Sequence, residues 1–472
     1  MKAPRGHWLL GHIPHFRSNP IQFLNACDED VISLRLGQTA LLLLHPDDVT
    51  HVLETSEHRY SKGRAFQYGR QLYGNSLLTS EGDDHRRQLQ SIGGVFLKTA
   101  ADSFLTPAEP MTQQWIQRWK SQPTFDLWKA VSELTATISI QAVFGSDFTP
   151  PWLPGVVTND RVATNDRVAR PDGSATRMTN ADSFAGRQIA EDFDTAMDYV
   201  ATRNFAMINP PEWFPTAKNR AYKAAISRLN LAFEHAVNRR LHGAAHGGFL
   251  SRLLELHQRD PVTVPMLQVR DQSLILLLGG YESSATALCW CLLLLSRATP
   301  IRDKLKTACR SRNIIDSRSS DAEPLESAAE TLISEIFSES LRLYPPPWLI
   351  PRTCVENDRL PTGQTVKKGT QIFLSPYRTH RDARWFDSPD DFRPQRFALQ
   401  RSAQFRRGSY FPFGMGTRHC IGESIARSQA VRILKTIYSL CDLEFPAKEW
   451  PKTKPLLTLR PELPVLARFV DS

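Results

Sequence analysis

One short segment of the sequence carries its strongest chemical signal. Residues 411–426 read Phe-Pro-Phe-Gly-Met-Gly-Thr-Arg-His-Cys-Ile-Gly-Glu-Ser-Ile-Ala, which predicts a glycine-rich loop that brings Cys420 to the start of a helix. Glycine adopts positive φ and lets a backbone approach a flat ligand, which is the expected role of Gly414, Gly416 and Gly422. Backbone N–H groups at a helix start favour a thiolate, so we expect Cys420 to be held in that form.

Two further side chains of this segment suit such a site. Phe413 can pack beside the sulfur, and Arg418 offers a fixed cation for a carboxylate. Each feature is weak alone, because a lone loop cysteine is usually a small apolar residue and Gly-x-Gly is a weak phosphate signal. A dinucleotide site is disfavoured, since His419 stands where its third glycine would be.

A second segment interrupts an otherwise apolar predicted helix. Residues 276–288 read Leu-Leu-Leu-Gly-Gly-Tyr-Glu-Ser-Ser-Ala-Thr-Ala-Leu. Glycines inside a helix cost about 1 kcal/mol each relative to alanine, and a buried Glu282 is costly without a partner. The pattern favours a ligand that presses against the helix and receives protons from Glu282 and Ser283. The alternative is that Glu282 merely pairs with a basic residue.

A third segment ends a predicted helix before three prolines. Glu339 and Arg342 stand three residues apart, so they share one helical face. Alone, such a pair is common on protein surfaces.

The first of these segments resembles the haem-binding loop of the cytochrome P450 family. The family pattern Phe-x-x-Gly-x-Arg-x-Cys-x-Gly is met by Phe413, Gly416, Arg418, Cys420 and Gly422. The resemblance implies haem b as cofactor, with Cys420 as the axial ligand of its iron. A thiolate ligand favours cleavage of the O–O bond.

The other two segments also match the family. On its long central helix the family has an acid followed by an alcohol, usually threonine, and here Glu282 and Ser283 occupy those positions. In the family, Glu-x-x-Arg and a later arginine form a buried charge network behind the haem. The resemblance assigns these structural roles to Glu339, Arg342 and Arg396.

One family feature is missing. Where the family often carries Trp-x-x-x-Arg to hold a haem propionate, residues 84–89 read Asp-His-Arg-Arg-Gln-Leu. His85 is therefore a candidate for the propionate, with Arg86 and Arg87 open as alternatives. Arg352 is an additional candidate, acting together with Arg418.

Four residues are candidates for the border of a substrate pocket. One follows the central glycines and the others follow the three prolines. They are Tyr281, Trp348, Leu349 and Ile350.

The overall pattern predicts an α+β fold that is predominantly helical. A strand-like sequence pattern at residues 31–44 precedes a long region with helical periodicity, and short strands are expected around residues 371–374 and 456–460. The resemblance implies the cytochrome P450 fold, with small β-sheets at the N-terminal side and a long central helix over the haem. We expect one domain over residues 1–472. Residues 155–181, which contain a tandem Thr-Asn-Asp-Arg-Val-Ala repeat, are expected to form a flexible surface insertion.

Composition constrains the location and the partners. The seven cysteines follow no disulfide spacing, which favours the cytoplasm. The N-terminal residues lack an apolar run of the length of an anchor, and the apolar residues 273–296 read as a buried core helix, so no transmembrane anchor is expected. The net charge of +9 comes without long basic runs, so we expect no nucleic acid but a positive face for an acidic electron donor.

The resemblance implies a haem-thiolate monooxygenase that inserts one oxygen atom from O2 into a small apolar organic substrate, by hydroxylation or epoxidation, in specialised metabolism. Electrons are expected from a separate donor, either a ferredoxin with its reductase or a flavoprotein reductase. The same fold could serve a peroxide-driven oxygenase or a haem isomerase. A haem-binding sensor without enzymatic activity is the alternative of another class.

Overall fold

The structure is a computed structural model of the chain. It describes residues 6–7, 10–37, 39–63, 69–98, 104–145, 148, 180–204, 210–241, 247–310, 322–447, 449–462 and 464–470. All but the last two residues of the insertion predicted at 155–181 lie outside this part of the chain.

Helices form most of the described structure. The N-terminal half contains α1 Ile13–Ser18, α2 Pro20–Asn25, α3 Pro46–Thr50, α4 Arg70–Tyr73, α5 Gly82–Lys98, α6 Ala108–Lys120, α7 Leu127–Phe144, α8 Asn180–Asn204 and α9 Ala217–Leu241. The C-terminal half contains α10 Gly248–Arg259, α11 Met266–Arg297, α12 Thr299–Arg310, α13 Ala322–Leu343, α14 Pro376–Thr379, α15 Leu399–Ser402 and α16 Glu423–Leu440. A π-helix at His51–Thr55 follows α3 directly.

The strands are short and come from both ends of the chain. They are β1 Val31–Arg35, β2 Thr39–Leu43, β3 Tyr60–Ser61, β4 Phe125–Asp126, β5 Ile350–Cys354, β6 Asp358–Arg359, β7 Thr365–Val366, β8 Gln371–Leu374, β9 Asp442–Glu444, β10 Thr453–Pro455, β11 Leu459–Pro461 and β12 Leu466–Val470. The largest sheet has the order β1-β2-β8-β5-β3, with β2 and β8 parallel and the other pairs antiparallel. The predicted fold class is confirmed. The strand expected around residues 456–460 is found in part, since β11 begins at Leu459 and residues 456–458 form the bend between β10 and β11.

The central helix α11 is buried on almost every side. Its sequence is apolar all round, which suits a helix surrounded by protein rather than one with a single solvent face. It is long and apolar enough to cross a membrane by length and composition, but 78% of its most apolar window is buried inside the protein. This agrees with the core helix expected from the sequence.

Helix α7 packs closely along α11 at Gly280. A Cβ at this position would lie 2.6 Å from Ser139 Oγ and 3.0 Å from a ring carbon of Phe104. Gly280 is therefore required by helix packing and not by a ligand, which corrects one half of the expectation for the two central glycines.

A largely buried ion-pair network fixes the end of α13. Arg342 Nε and Nη2 donate to the two carboxylate oxygens of Glu339 at 2.7 and 2.9 Å, and Arg396 Nε donates to Glu339 Oε1 at 3.2 Å. The remaining donors of Arg342 reach the carbonyls of His380, Pro389 and Asp391. A guanidinium has five N–H donors, and each of the five has an acceptor here.

We expect Glu339→Gln to lower the free energy of unfolding by about 3–5 kcal/mol, because two buried guanidinium groups lose their counter-charge. Urea denaturation of the two proteins measures the difference. Glu330→Gln is the matched control, since Glu330 lies on the same helix in an exposed pair with Lys435 and should change stability by less than about 0.5 kcal/mol. Equal effects of the two substitutions would contradict the structural role of the network.

Candidate active site

The cysteine loop places one sulfur at the start of α16. The Cys420 N–H donates to the Phe413 carbonyl at 2.9 Å, and a short 3-10 helix at Gly416–Arg418 shapes the loop just before it. The sulfur accepts a hydrogen bond from the Gly422 N–H. All seven cysteines lie in the described part of the chain; Cys420 is exposed and the other six are buried.

The loop does not by itself stabilise the thiolate of Cys420. The surrounding protein atoms raise the pKa of the thiol, because desolvation outweighs the Gly422 N–H. A metal ion that coordinates a thiol deprotonates it. The backbone N–H groups alone therefore do not lower the pKa of this thiol, and a metal ion bound to the sulfur would ionise it.

The three glycines of the loop have three different roles. Gly414, with φ +76°, faces open space, since the nearest atom to an added Cβ would be the Arg418 carbonyl oxygen at 3.8 Å. Gly416, with φ +69°, lies so close to the π-helix that a Cβ would stand 2.2 Å from the Leu53 carbonyl oxygen. Gly422 has φ −87°, so the expectation of positive φ is wrong there. A Cβ on Gly422 would lie 3.8 Å from the Cys420 sulfur.

Phe413 and Arg418 also lie at the loop. The Phe413 ring packs against the Arg427 guanidinium, whose central carbon is 5.1 Å from the ring centroid. Arg418 is partly buried and donates to the Ser80 carbonyl at 2.7 Å and to Glu81 Oε2 at 2.6 Å.

Four basic side chains from four separate segments meet beside this loop. They are Lys62 after β3, His85 on α5, Arg352 on β5 and Arg418. Burial and the neighbouring cations lower the pKa of Lys62 to about 7, that of His85 to about 4 and that of Arg352 to about 10. We refer to these four residues as the cationic cluster.

The positive charges of the cationic cluster are only partly balanced by acidic side chains. Within the described ranges, Glu81 is the acid that hydrogen-bonds to it, through the Lys62 N–H at 2.7 Å and through Arg418. The Lys62 ammonium donates only to the carbonyls of Leu77 and Leu78, and Arg352 to the carbonyl of Pro351. Excess buried positive charge of this kind fits a ligand that carries carboxylates.

The structure distinguishes among the three propionate candidates on α5. His85 is 5% exposed and faces Arg418 and Lys62. Arg86 and Arg87 point to solvent, where they pair with Asp83 and Asp84. His85 is thus the residue of the three that reaches the cationic cluster.

The central helix presents a small groove at Gly279. A Cβ at Gly279 would meet no atom within 4 Å, and the Ser283 hydroxyl, one turn later, donates to the Gly279 carbonyl at 2.8 Å. Gly279 and Ser283 therefore share one face, and the hydroxyl lies beside the open space.

Glu282 points to a different side of α11. Its carboxylate accepts hydrogen bonds from Thr458 and from Arg460 Nε, the latter at 3.1 Å. Burial raises the pKa of Glu282, partly offset by Arg460 and Thr458. The alternative weighed from the sequence, that Glu282 pairs with a basic residue, therefore describes its contacts, and the acid and the alcohol do not face one another.

Two of the four candidates for the pocket border lie in the core instead. Tyr281 is 1% exposed, and its hydroxyl is hydrogen-bonded to Asp194 and to the Ala190 carbonyl of α8. Trp348 is 3% exposed and its indole N–H donates to the Leu456 carbonyl at 2.9 Å. Leu349 and Ile350 are half-buried at the start of β5.

An exposed thiol at a helix start, an undercompensated cationic cluster and a glycine groove with a hydroxyl together define a site of the haem-thiolate class. The residues fit haem b, since its two propionates match the excess of cations and its iron would ionise Cys420. The Cytochrome P450 family model matches residues 1–468, and the chain belongs to this family.

Similar proteins agree with this membership. The chain is 29% identical over 93% of its length to a cyclooctat-9-en-7-ol 5-monooxygenase of Streptomyces melanosporofaciens, of which it covers 88%. It is 25% identical over 93% of its length to a pentalenene oxygenase of Streptomyces avermitilis, of which it covers 90%. The fold is similar to that of the crystal structure of the cytochrome P450DA heme domain, with a TM-score of 0.80 at 21% identity over 100% of this chain and 98% of that one. The protein is a haem-thiolate monooxygenase with haem b as cofactor, and it needs O2 and a redox partner.

Three residues around the site had no signal in the sequence. Lys62 joins the cationic cluster, and Asp194 and Arg460 join Glu282. They lie far along the chain from the residues that they contact. Only the fold could reveal them.

We expect haem affinity to depend on pH through Lys62. Its pKa of about 7 without a ligand must rise when carboxylates bind, so binding takes up a proton above pH 7. Haem affinity should then fall by up to about tenfold for each pH unit above 7, and Lys62→Met should lose this slope. Competition for haem with a second haem-binding protein, carried out between pH 6 and about 9, measures the pH dependence of haem affinity in the unmodified protein and in Lys62→Met.

Lys367→Met is the control for this experiment, since Lys367 is exposed and lies outside the cationic cluster. It should retain the pH dependence of the unmodified protein. A Lys62→Met protein with the same slope as the unmodified protein would remove Lys62 from the site.

Proposed function

We propose that the monooxygenase binds haem b through Cys420 as axial ligand and inserts one oxygen atom into an apolar, ring-containing substrate of the terpene class. The observation that carries the proposal is the exposed Cys420 sulfur at the start of α16, next to the cationic cluster. Six other cysteines are buried away from such an environment.

The cationic cluster would hold the two propionates of the haem. Arg418 and Arg352 supply planar guanidinium groups that suit carboxylates, and Lys62 adds a charge that the ligand would stabilise. Without a ligand, burial and the neighbouring cations lower the pKa of His85 to about 4, so it meets the propionates as a neutral ring that can donate a hydrogen bond. This assignment explains why so many cations share a partly buried place.

When bound, the haem would supply the chemistry that activates O2 and inserts one of the two oxygen atoms of O2 into the substrate. The protein supplies protons and restricts water. Ser283 keeps its hydroxyl beside the groove at Gly279 through the hydrogen bond to the Gly279 carbonyl, so it is the residue placed to pass a proton there. Glu282 provides an acid on the adjoining face of α11.

The substrate class follows from the relatives and from the lining. The names of two relatives specify pentalenene and cyclooctat-9-en-7-ol as the compounds on which those proteins act. In this chain, Ile350 is a half-buried apolar residue on the same strand as Arg352, and the half-buried Leu349 directly precedes that strand, so these two are the pocket candidates that remain. Hydroxylation of such a substrate belongs to specialised metabolism.

A separate protein supplies the electrons. A cleft of about 1120 Å³ lies beside the cysteine loop, and its lining combines the basic Arg406, Arg407 and Arg427 with the acidic Glu54, Glu57, Glu330 and Glu335. Because Arg407 and Arg427 are paired with Glu54 and Glu423, the support for an acidic ferredoxin or flavoprotein reductase is the net charge of +9 of the chain. The free state of all seven cysteines supports a cytoplasmic location.

We expect Cys420→Ser to abolish the thiolate-type Soret band of the ferrous carbon monoxide complex, because a hydroxyl does not replace the sulfur as ligand. Absorption spectra of the reduced protein with carbon monoxide test this. Cys354→Ser is the control, since Cys354 is buried away from the site and its thiol donates a hydrogen bond to the Glu356 carbonyl. A serine hydroxyl at this position can donate the same hydrogen bond. An unchanged band in the Cys420 variant would refute the axial assignment.

We expect Ser283→Ala to release several-fold more hydrogen peroxide for each product molecule, because the groove loses its hydroxyl. Ser283→Thr retains the hydroxyl and should couple electron use to product as the unmodified protein does. Product and peroxide are measured against electrons consumed. Equal coupling in the alanine and threonine variants would exclude Ser283 from proton transfer.

A further inference from the structure

A buried polar cluster joins three distant segments behind the central helix. Arg460 of β11 donates to Glu282 Oε1 of α11 through Nε at 3.1 Å, and to Asp194 Oδ1 of α8 through Nη2 at 2.7 Å. The Arg460 guanidinium also lies over the Trp128 ring of α7, 4.5 Å from the centroid. The Tyr281 hydroxyl donates to Asp194, and Thr458 donates to Glu282.

The charges of this cluster do not cancel. Arginine stays protonated in proteins, so Arg460 contributes one positive charge against the two carboxyl groups of Glu282 and Asp194. Two ionised carboxylates that share one cation in a low-dielectric place repel each other, and one of them then keeps a proton.

The burial of the two acids indicates which of them keeps the proton. The Asp194 side chain is 33% exposed and accepts the Tyr281 hydroxyl, whereas the Glu282 side chain is 3% exposed. Water can stabilise the charge of Asp194 but not that of Glu282. Burial also raises the pKa of Glu282, which likewise favours the protonated form of this residue.

The hydrogen bonds of Glu282 leave room for this proton. Within the described ranges, the Thr458 hydroxyl and both Arg460 contacts reach the same oxygen, Oε1. Thr286 extends the network, since its hydroxyl lies 3.0 Å from that of Thr458. The other oxygen, Oε2, is therefore the one that can carry a proton.

We propose that Arg460 and Asp194 are positioning residues for Glu282, which serves as the proton reserve of the active site. Asp194 favours the protonated form of Glu282, and Arg460 orients its carboxyl group and stabilises the carboxylate. This inference rests on the proposed monooxygenase function. When Glu282 releases its proton, Arg460 stabilises the carboxylate that remains. A proton taken up from solvent restores the acid, and the partly exposed Asp194 is the carboxyl group of the cluster that solvent reaches.

The two positioning residues should shift the ionisation of Glu282 in opposite directions. Arg460→Met removes the cation and should raise the pH at which Glu282 loses its proton by about one unit or more. Asp194→Asn removes the competing anion and should lower that pH by a similar amount. The other titratable groups that influence Glu282 are Tyr281 on the same helix and Tyr73 of α4, which both stay neutral near pH 7 because burial raises their pKa.

Infrared spectra of the protein measure this ionisation without turnover. The band of the protonated Glu282 carboxyl is identified by its absence in Glu282→Gln, and its midpoint is followed with pH. The pH profile of product formed per electron pair should move with that midpoint in both variants. Arg460→Lys retains the positive charge, so the midpoint of its Glu282 band should lie closer to that of the unmodified protein than to that of Arg460→Met.

Two controls separate this effect from loss of an ion pair as such. Asp192 lies on the same helix as Asp194, two residues away, and pairs with Arg228 of α9. Asp192→Asn breaks this pair away from Glu282. Arg468→Met breaks an exposed pair with Glu444 near the C-terminus. Neither should move the midpoint of the Glu282 band.

Midpoints that stay fixed in Arg460→Met and Asp194→Asn, or that move in the same direction in both, would overturn the inference. The proposed function is tested apart from it, by the carbon monoxide spectrum and product formation of the unmodified protein. A missing thiolate band would remove the proposed function while leaving the carboxyl titration measurable. A normal band with fixed midpoints would remove only the proton reserve.

Discussion

The position of the Cys420 sulfur depends on a loop whose backbone is fixed from two sides. The Phe413 carbonyl holds the Cys420 N–H, and the Gly416 backbone lies directly against the Leu53 carbonyl of the π-helix. Glu57, just beyond that helix, accepts the Thr417 N–H at 2.9 Å. A side chain at Gly416 would displace the loop from the π-helix, and the sulfur would move with it. The family pattern of glycines therefore reflects protein packing as well as access to a ligand.

The structure treats buried charge in two contrasting ways. At Glu339 every donor of Arg342 has an acceptor, so the network is complete without a ligand and stabilises the fold. In the cationic cluster, burial and the neighbouring Arg418 lower the pKa of Lys62 and of Arg352, and Glu81 compensates only part of the positive charge. Incomplete compensation costs stability in the folded protein and is recovered when an anion binds. This difference separates residues that hold the protein together from residues that hold the haem.

Sequence patterns identified the parts of the site whose residues are close along the chain. The spacing around Cys420 and the pair Glu339 and Arg342 are local, and their arrangement follows from a loop or from one helical face. Lys62 and Arg460 gave no such signal, because each meets its partners only after distant segments pack. The same reason explains the error at Gly280, since a glycine that accommodates a neighbouring helix cannot be distinguished in sequence from one that accommodates a ligand.

Glu282 and Ser283 are adjacent in sequence, but their side chains lie on different sides of α11 and have different roles. Successive residues of a helix point about 100° apart, so the side chains of Glu282 and Ser283 diverge. Ser283 lies beside the groove at Gly279, whereas Glu282 is directed to Arg460 on the side of the C-terminal strands. An acid in the groove itself would bring an unpaired charge next to an apolar substrate, at a cost in binding. Keeping the acid one face away, beside its own cation, lets the same helix offer an apolar surface to the substrate and a source of protons behind it.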